Sequence, residues 1–372
     1  MPHHFTLIMK FLYQNKTFAF DRYPQTDNQS LKAWNAGDEY MLKYLETLSL
    51  EGKQLVLYND RFGFLSGILH YHQPYFIIQY KSQYKALQQN FKKNNIVYAE
   101  SLFLFPLQKL PDSIDIACIK IPKSNDLFEL YLLQLLPFLK EDGLVICSFM
   151  TRHFSKKTLT ISATYFEEVE QSKAWKKSRL LILKKKKNKP LKKRTKAIFL
   201  DNNQGLTQYL GVFSGHRIDI ATQFLLQHLL LQPGEEKVLD LASGNGIIAY
   251  HLHKQKNNIE VHLLDDDYLA IESSKLNLTG PNSIFHWNDT TEELSANYFD
   301  LIVCNPPFHF EYENTIEIAL KLFKGAKRCL KKGGRFLVVA NLHLNYKTHL
   351  IKLFDEVNIV NEDARFVIYE CW

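Results

Sequence analysis

The same order of strand-like and helix-like segments occurs twice along this chain of 372 residues. In the second half, "KVLDLASGNGIIAYHL" reads as an apolar strand, a glycine-bearing turn and a helix, and the first half has "QLVLYNDRFGFLSGILH" at the same place. Three further pairs match in order: "IEVHLLDDDYLAIESSKLNL" with "PYFIIQYKSQYKALQQNFKKN", "YFDLIVCNPPF" with "SIDIACIKIPKS", and "AKRCLKKGGRFLVVA" with "LPFLKEDGLVICSF". Strands that alternate with helices indicate a parallel sheet covered on both faces. Matching elements in matching order predict two copies of one α/β domain, each with a Rossmann-like sheet.

A basic segment, "KKKKNKPLKKRTK", lies between the two copies at residues 184–196. It has almost nothing apolar to bury, so it is predicted to be a linker or an exposed loop. We therefore expect a first domain over residues 1–183, a linker over 184–196 and a second domain over 197–372. The last stretch, "VNIV-NEDA-RFVIYECW", fits a hairpin with a short polar turn.

Composition limits the environment and the partners. The formal charge of +7 is a modest excess, so the location of the positive charges matters more than their number. The five cysteines show no metal-ligand spacing, which predicts reduced, mostly buried thiols, a cytoplasmic protein and no metal site. The chain has no apolar run of about 18 residues, and its start is too polar for a signal peptide, so no membrane association is predicted. Oligomeric state is left open by the sequence.

Acidic residues and glycines lie at successive strand ends of the second copy. Asp240 ends one strand and precedes Gly244 and Gly246, Asp265 ends the next strand, and Asp289 follows the third. Open α/β sheets bind ligands at this carboxyl edge, where glycines allow close approach and a carboxylate can accept bonds from a ribose diol. The run "DDD" at 265–267 leaves the ribose ligand open by one position. The alternative is that these residues only form turns.

A further strand stops at "CNPPF", because two successive prolines cannot continue a central strand. The tip presents Asn305, Pro306, Pro307 and Phe308, whereas the first copy has "KIP" at 120–122. The first copy also has "NDRFG" in place of the glycine turn, and lysine or glutamine where the second has Asp265. If one copy is active, these differences favour the second. The alternative for the tip is an ordinary strand end with Phe308 in the core.

In its ordered motifs "LDLASGNG", "LLDDDYLAIESSKLN" and "DLIVCNPPFH", the chain resembles class I S-adenosylmethionine-dependent methyltransferases. The N-P-P-[FY] tip is shared with enzymes that methylate adenine N6, guanine N2 or glutamine N5. With "GVFSGHRIDIATQFLLQHL", "AWKKSRL" and the duplication, the chain resembles bacterial ribosomal RNA guanine-N2 methyltransferases. Its "LKAWNAGDEYML" and "LVLYNDRFGFLSGIL" look most like the large-subunit branch, RlmG, rather than the small-subunit branch, RsmC. One departure is "AS" at 242–243, where the family usually has Gly-Cys.

The resemblance implies S-adenosylmethionine as cofactor and a set of residues that would hold it: Phe213, Asp240, Ala242, Gly244, Gly246, Asp265, Asp289 and Asn305. It implies catalytic roles for Asn305, Pro306 and Phe308. The Asn305 side-chain oxygen and the Pro306 carbonyl would accept the N–H groups of the amine, and Phe308 would stack on the base. The segment at Phe213-Ser214 would close over the cofactor. The alternative is a plain helix entry, with Ser214 as the N-cap of a helix through Arg217 to Leu230.

The expected partner is ribosomal RNA, from the 23S molecule, either naked or in early assembly. Clustered cations that would contact phosphates are Lys176, Lys177, Arg179, Lys184, Lys185, Lys186, Lys187, Lys192, Lys193 and Arg194. A solvated charged face is the alternative for this run. The first copy is expected to help bind RNA without binding cofactor. Other functions left open are methylation of guanine N2 in 16S RNA, methylation of adenine N6 or glutamine N5, and a non-catalytic RNA-binding assembly factor.

Overall fold

The computed structural model describes residues 9–26, 28, 30–199, 205–214, 217–307, 309–310, 313–314 and 316–372. The chain divides into two compact units, Met1–Lys193 and Arg194–Trp372. None of the described helices is both long enough and apolar enough to span a bilayer.

The first unit begins with a small hairpin and continues with strands that alternate with helices. Its elements are β1 (Lys10–Tyr13), β2 (Lys16–Ala19), α1 (Ala36–Leu45), β3 (Leu55–Tyr58), α2 (Phe64–Ile68), β4 (Tyr75–Ile77), α3 (Lys81–Lys93), β5 (Phe103–Leu104), β6 (Ile114–Lys120), α4 (Asn125–Leu135), β7 (Leu139–Met150), α5 (Lys156–Tyr165), β8 (Phe166–Gln171) and β9 (Ser178–Lys186).

The second unit repeats this order and adds one short hairpin. Its elements are β10 (Thr195–Phe199), β11 (Gly205–Tyr209), α6 (Ile220–His228), β12 (Lys237–Leu241), α7 (Ile247–Gln255), β13 (Glu260–Asp265), α8 (Tyr268–Asn277), β14 (Ser283–Trp287), β15 (Phe299–Cys304), β16 (His309–Phe310), β17 (Glu313–Asn314), α9 (Glu317–Cys329), β18 (Leu330–Asn341), α10 (Lys347–Leu350), β19 (Val357–Glu362) and β20 (Phe366–Cys371).

Each unit contains a seven-stranded mixed sheet of the same topology. The strand orders are β5-β4-β3-β6-β7-β9-β8 and β14-β13-β12-β15-β18-β20-β19. In each sheet the first five strands are parallel, and the last two form an antiparallel pair. The duplicated α/β fold is thereby confirmed, as is the C-terminal hairpin, formed by β19 and β20. The strand order reverses between β12 and β15, and such a switch point is where open α/β sheets bind ligands.

The central strands β12, β15 and β18 of the second unit have long buried, mostly apolar stretches because helices cover both faces of the sheet. Alternate residues of β12 belong to different cores: Leu239 and Leu241 pack with α9, whereas Val238 packs with α6 and α7. This burial on both sides explains why the strands read as continuous apolar runs. All five cysteines are free and buried, as predicted.

The basic segment differs from the predicted linker. Its first three residues, 184–186, belong to β9, and its last two, 195–196, begin β10. Strand β9 is paired with β7 on one side and with β8 on the other, and its pairing with β8 extends into the lysine run. The segment between the two strands therefore spans residues 187–194, shorter than 184–196.

Candidate active site

The turn after β12 has the left-handed backbone that its glycines permit. Ala242, Gly244 and Gly246 have φ of 63°, 55° and 80°. Gly246 is the N-cap of α7, and a Cβ there would meet Ser274 at 3.0 Å. A Cβ on Gly244 would meet nothing within 4 Å, so open space adjoins this turn. The close contact with Ser274 therefore requires a glycine at position 246, whereas the space beside Gly244 leaves room for a ligand.

The side chains of Asp240 and Asp265 adjoin this turn. Asp240 is fully buried, and its Oδ2 accepts the N–H of Ala249 at 3.2 Å. Burial raises the pKa of Asp240 to about 8. Its Oδ1 and the Oγ of buried Ser243 have no partner in the described part of the chain. Buried polar atoms are normally satisfied, so these two atoms leave a place for a water or a polar ligand group to bond.

The three consecutive aspartates at 265–267 have different roles. Asp265 faces the glycine turn: its Oδ2 accepts the Gly244 N–H at 2.8 Å. Burial raises the pKa of Asp265 to about 6. Asp267 is the N-cap of α8, and the Asp266 carbonyl accepts the Trp287 Nε1–H at 2.9 Å. Of the three, Asp265 is the carboxylate held beside the turn.

Strand ends β13 and β14 are tied together beside this site. The N–H of Asn288 donates to the Asp265 carbonyl at 3.0 Å, and the N–H of Asp289 donates to the Asn288 side chain at 2.9 Å. Asp289 is therefore at the same edge as Asp265, as its position in the sequence predicts. Its role in cofactor binding remains a prediction.

Asn305 follows β15 directly across the switch point. Its Nδ2 donates to Asp219 Oδ2 at 3.1 Å and to Thr222 Oγ1 at 2.8 Å. An ionised carboxylate only accepts, so Nδ2 must face Asp219. No donor among the described residues reaches Asn305 Oδ1. The amide is held with its oxygen available as an acceptor. Phe308, predicted to stack on a base, lies outside the described residues.

A cavity of about 150 Å³ adjoins Asn305. Pro306, Asn341 and Tyr346 also line it. Burial raises the pKa of Tyr346 to about 12, and its hydroxyl has no partner in the part of the chain that is described. At about 30 Å³ per water molecule, the cavity is large enough for several waters or a small flat group.

The helix before this site begins later than predicted. α6 starts at Ile220 with Asp219 as its N-cap, and the Asp219 side chain accepts the Thr222 N–H at 3.1 Å. Ser214 instead donates its Oγ–H to the Arg217 carbonyl. Because the helix start was predicted wrongly, Asp219 and Thr222 were not recognised as partners of Asn305. The signal in the sequence was Asp219 itself, since Asp is a favoured N-cap residue. Phe213 is 64% exposed, and its predicted contact with cofactor remains a prediction.

In the first unit, the place that corresponds to Gly244 is filled. Arg61 is likewise the third residue after its strand, it is buried, and its Nη2 donates to Ser82 Oγ at 2.7 Å. Its guanidinium lies 4.1 Å from the centre of the Tyr80 ring. By strand register, Ile78 holds the position in the first sheet that Asp265 holds in the second. The expected lysine or glutamine at this position is therefore wrong. An apolar residue and a packed guanidinium leave no ribose acceptor at this place.

The position of Asn305 is taken by Lys120 in the first unit, as the sequence predicts. Lys120 Nζ lies 3.1 Å from Asp38 Oδ2, and Asp38 is fully buried at the third position of α1. Thr222 holds the same place in α6. Burial raises the pKa of Asp38 to about 6, an effect that Lys120 opposes. An ion pair thus replaces the amide and hydroxyl pair of the second unit.

The lysines predicted to bind RNA differ in their surroundings. Four in the basic segment have carboxylate partners: Lys184 with Glu170 at 3.8 Å, Lys185 with Glu168, Lys186 with Glu141 at 3.1 Å, and Lys192 with Glu129 at 2.7 Å. Lys187 donates to the Ala163 carbonyl at 2.7 Å, Lys176 pairs with Glu39 at 2.9 Å, and Arg179 donates to Gln171 at 3.0 Å. Much of the charge of the basic segment is therefore neutralised locally, which the sequence run did not show.

Comparison with known proteins identifies the family. Residues 9–189 match the RLMG N-terminal domain and residues 203–370 match the methyltransferase small domain. Ribosomal RNA large subunit methyltransferase G of Vibrio vulnificus (strain YJ016) is 30% identical over 360 residues, which cover 94% of this chain and 95% of the relative. The chain belongs to the ribosomal RNA large subunit methyltransferase G family. Another member, from Aliivibrio fischeri (strain MJ11), is 30% identical and covers 96% of each chain.

A solved structure shows the same two-unit fold over nearly the whole chain. It is the T. thermophilus 16S rRNA N2 G1207 methyltransferase (RsmC) in complex with AdoMet and guanosine, with a TM-score of 0.76 over 98% of each chain. At 18% identity the likeness shows the fold alone. Sequence and structure thus agree on a methyltransferase G family member built from two methyltransferase-like units.

Ala242 is strained in this member of the methyltransferase G family. A residue with a Cβ at φ of 63° costs roughly 1–2 kcal/mol, although glycine would lose more entropy on folding. We expect Ala242→Gly to stabilise the second unit by about 0.5–1 kcal/mol in urea unfolding of the full chain. As a control, Ala270→Gly inside α8 should destabilise it by about 1 kcal/mol. Equal destabilisation by both changes would refute the strain at Ala242.

Proposed function

We propose that this protein transfers the methyl group of S-adenosylmethionine to the exocyclic N2 of a guanine in 23S ribosomal RNA. The observation that carries the proposal is the fixed orientation of Asn305, whose oxygen is left as an acceptor at the switch point beside a cavity. Membership of the methyltransferase G family supports the 23S molecule as substrate. The second unit is the proposed catalytic domain.

The residues around the β12 turn fit the cofactor. Open space at Gly244 and the unpartnered buried atoms of Asp240 and Ser243 provide room and polar contacts for the methionine end. Asp265 accepts the Gly244 N–H with Oδ2 and the Asp267 N–H with Oδ1, and each oxygen retains a further lone pair for a ribose hydroxyl. The remaining predicted cofactor residues are proposed only from their positions in the sequence. They are Phe213, Ala242, Gly246, Asp289 and Asn305. The cofactor supplies a methyl group already activated on a sulfonium.

The exocyclic amine of guanine is a weak nucleophile, and residues at the end of β15 are proposed to position it. An exocyclic amine shares its lone pair with the ring, so the protein must orient it and stabilise the charge that develops on nitrogen. Asn305 Oδ1 and the Pro306 carbonyl are acceptors for its two N–H groups, and the amide is already held by Asp219 and Thr222. Such preorganised acceptors stabilise the transition state without reorganisation. Pro307 limits motion of the tip, and stacking of the base on Phe308 is proposed from the sequence.

Tyr346 adds a donor to the cavity wall. Its buried hydroxyl has no partner among the described residues, and burial of an unpaired hydroxyl is costly. Guanine presents acceptors at O6 and N7, whereas adenine presents an amine next to its N7. A phenolic hydroxyl can donate or accept a hydrogen bond, so this group offers a polar contact to either purine and does not by itself select guanine.

RNA binding is proposed to involve the first unit. Arg61 and the Lys120–Asp38 pair fill the places where the second unit has open space and a free acceptor, which argues against cofactor binding there. The cations named from the sequence are proposed phosphate contacts, although those in carboxylate pairs contribute less net charge.

Transfer to defined transcripts tests the function. The purified protein is incubated with labelled S-adenosylmethionine and full-length 23S or 16S transcript, and the nucleosides are separated by mass spectrometry. We expect N2-methylguanosine from 23S RNA. Label only in 16S RNA would instead favour the activity named for the structural neighbour of the same two-unit fold. Label in adenosine, or none in either RNA, would refute the proposal.

The raised pKa of Asp265 predicts a pH dependence of cofactor binding. Below its pKa of about 6 the carboxyl is protonated, so it loses its charge and part of its acceptor capacity, and affinity should fall as pH falls. We expect roughly tenfold weaker binding at pH 5 than at pH 8, measured by calorimetry. Asp265→Asn should bind more weakly, and its curve should lack the step near pH 6, while a step near pH 8 from Asp240 should remain. Parallel curves for the two proteins would exclude Asp265 as the titrating ribose ligand.

A further inference from the structure

A buried glutamine joins the turn after β12 to the loop after β11. Gln208 lies on β11 and is fully buried. Its Oε1 accepts the Nδ2–H of Asn245, which is in the middle of the turn, at 2.8 Å. Its Nε2 donates to the carbonyls of Val212 and Ser214, at 3.3 Å each. One side chain thus connects the turn of the candidate active site with the loop that carries Phe213.

The hydrogen bonds leave a single orientation for this amide. The two loop carbonyls only accept, so the NH2 group of Gln208 must face them and its oxygen must face Asn245. Asn245 must then donate with Nδ2, and its Oδ1 accepts the Ile247 N–H at 3.3 Å, at the start of α7. Buried polar groups that are bonded in this way hold one arrangement. The loop after β11 is therefore in defined contact with the turn.

Residues 210–214, which we call the Phe213 loop, present an aromatic ring at the surface. Val212 is buried, whereas Phe213 is exposed. The two bonds from Gln208 hold the carbonyls of the residues on either side of Phe213. Ser214 has φ of 70°, and a serine in the left-handed region is strained. Such a conformation persists only where the surrounding structure fixes the backbone, and Gln208 contributes to that support.

A pair of matching asparagines aligns the two units at this place. Asn277, the last residue of α8, accepts the N–H of Thr207 at 2.8 Å and donates to its carbonyl at 3.0 Å. Asn94, just after α3, makes the same two bonds with Ala19, at 2.8 Å and 2.7 Å. The residue that follows Ala19 therefore holds the place of Gln208 in the first unit.

Phenylalanines hold both places of the amide pair in the first unit. Phe20 follows Ala19, and Phe62 is the fourth residue after β3, as Asn245 is the fourth after β12. Both rings are buried. The same fold thus forms with two apolar rings in one unit and with Gln208 and Asn245 in the other. Because the fold does not require the amides, their presence beside the candidate active site indicates a role in that site.

We infer that Gln208 is a positioning residue, which ties the Phe213 loop to the turn after β12 and so sets the Phe213 ring beside bound S-adenosylmethionine. This inference rests on the proposed function, because that function requires the cofactor at the turn. An aromatic ring beside the ligand covers apolar surface and stabilises the bound state. A change in the turn on binding reaches the loop through Asn245 and Gln208.

Single and double substitutions test whether Gln208 acts through Phe213. Phe213→Ala removes an exposed ring, so folding should be preserved, and Gln208→Met keeps the length of the buried side chain without its bonds. We expect each change to weaken S-adenosylmethionine binding about tenfold in calorimetry, and the double variant to bind as weakly as either single variant. An additive loss of roughly a hundredfold in the double variant, or wild-type affinity in either single variant, would overturn the inference.

Gln134→Met is the matched control. Gln134 is equally buried, and its Nε2 donates to the carbonyls of Phe105 and Gln108 at 2.8 Å and 2.9 Å, in the first unit. Loss of these bonds should lower the melting temperature, while the Kd for S-adenosylmethionine stays within about twofold of wild type. An equal loss of cofactor affinity in this control would show that Gln208→Met acts by general destabilisation and would overturn the inference.

Hydrogen exchange of the unaltered protein keeps the inference testable if Gln208→Met does not fold. S-adenosylmethionine should slow exchange at least about fivefold in the Phe213 loop as well as in the turn at 242–246. Protection of the turn without protection of the loop would contradict the role of Gln208 and leave the proposed function intact. If the unaltered protein neither binds S-adenosylmethionine nor methylates ribosomal RNA, the proposed function fails and the inference fails with it.

Discussion

Replacing Asn305 with alanine is expected to lower methyl transfer at least about 10²–10³-fold while S-adenosylmethionine still binds. The change removes the acceptor oxygen that Asp219 and Thr222 hold in place. Loss of one preorganised polar group at a site of developing charge has an effect of this size in other enzymes. Single-turnover transfer to 23S RNA measures the chemical step, and calorimetry measures the cofactor.

The matched control is Asn358→Ala, because Asn358 is an exposed asparagine on β19, outside the site. It should leave methyl transfer unchanged.

Thr222→Val removes one of the two acceptors that anchor Asn305 Nδ2 and keeps the other, Asp219. Its rate of methyl transfer should therefore lie between those of wild type and Asn305→Ala. Unchanged turnover in Asn305→Ala would rule out the acceptor mechanism, and a Thr222→Val rate equal to wild type would show that the anchor is not needed.

Lys120→Met is expected to destabilise the first unit by about 3–5 kcal/mol. It leaves Asp38 fully buried without its cation, and breaking one side of a buried ion pair has a cost in this range. Asp38 has a pKa already raised to about 6, so it can take up a proton when Lys120 is removed. This protonation reduces the loss of stability. Urea unfolding of the full chain, followed by fluorescence, measures the change. Cofactor affinity should be unaltered if the second unit alone binds it.

A double-mutant cycle separates the pair from the general loss of a lysine. Lys120→Met with Asp38→Asn should recover most of the stability, because asparagine can still accept the N–H of the N-cap residue Asn35 and no charge remains buried. A double variant as unstable as Lys120→Met would mean that Lys120 contributes through packing instead. Loss of cofactor binding in Lys120→Met would contradict the assignment of the cofactor site to the second unit.

Sequence patterns predicted the architecture well because the information is local. Continuous apolar strands, glycine turns and following helices were read directly, and both sheets have the predicted alternation and the terminal hairpin. The alignment of Lys120 with Asn305 was also read from the repeat and is confirmed by strand pairing. These features depend on period and order, which neighbouring residues determine.

Other predictions failed where distant residues decide the outcome. The helix at 220–228 starts at Asp219 and not near Ser214, because the Asp219 side chain accepts the Thr222 N–H and caps the helix there. The basic segment was predicted to be a linker, but pairing with β8 extends β9 into it. Its lysines looked like free charges, yet their glutamate partners come from elsewhere in the first unit.

The sequence by itself determined the duplicated fold, the family, and the position of Asn305 at a strand end beside Gly244 and Asp265. It did so because strand ends of a parallel sheet share one edge whatever the loops do. Only the tertiary structure decided which atoms are available: Asn305 Oδ1 as an acceptor, and Asp265 among three consecutive aspartates. The physical reason is that availability depends on which partners long-range packing brings within hydrogen-bond distance, and no local pattern encodes that.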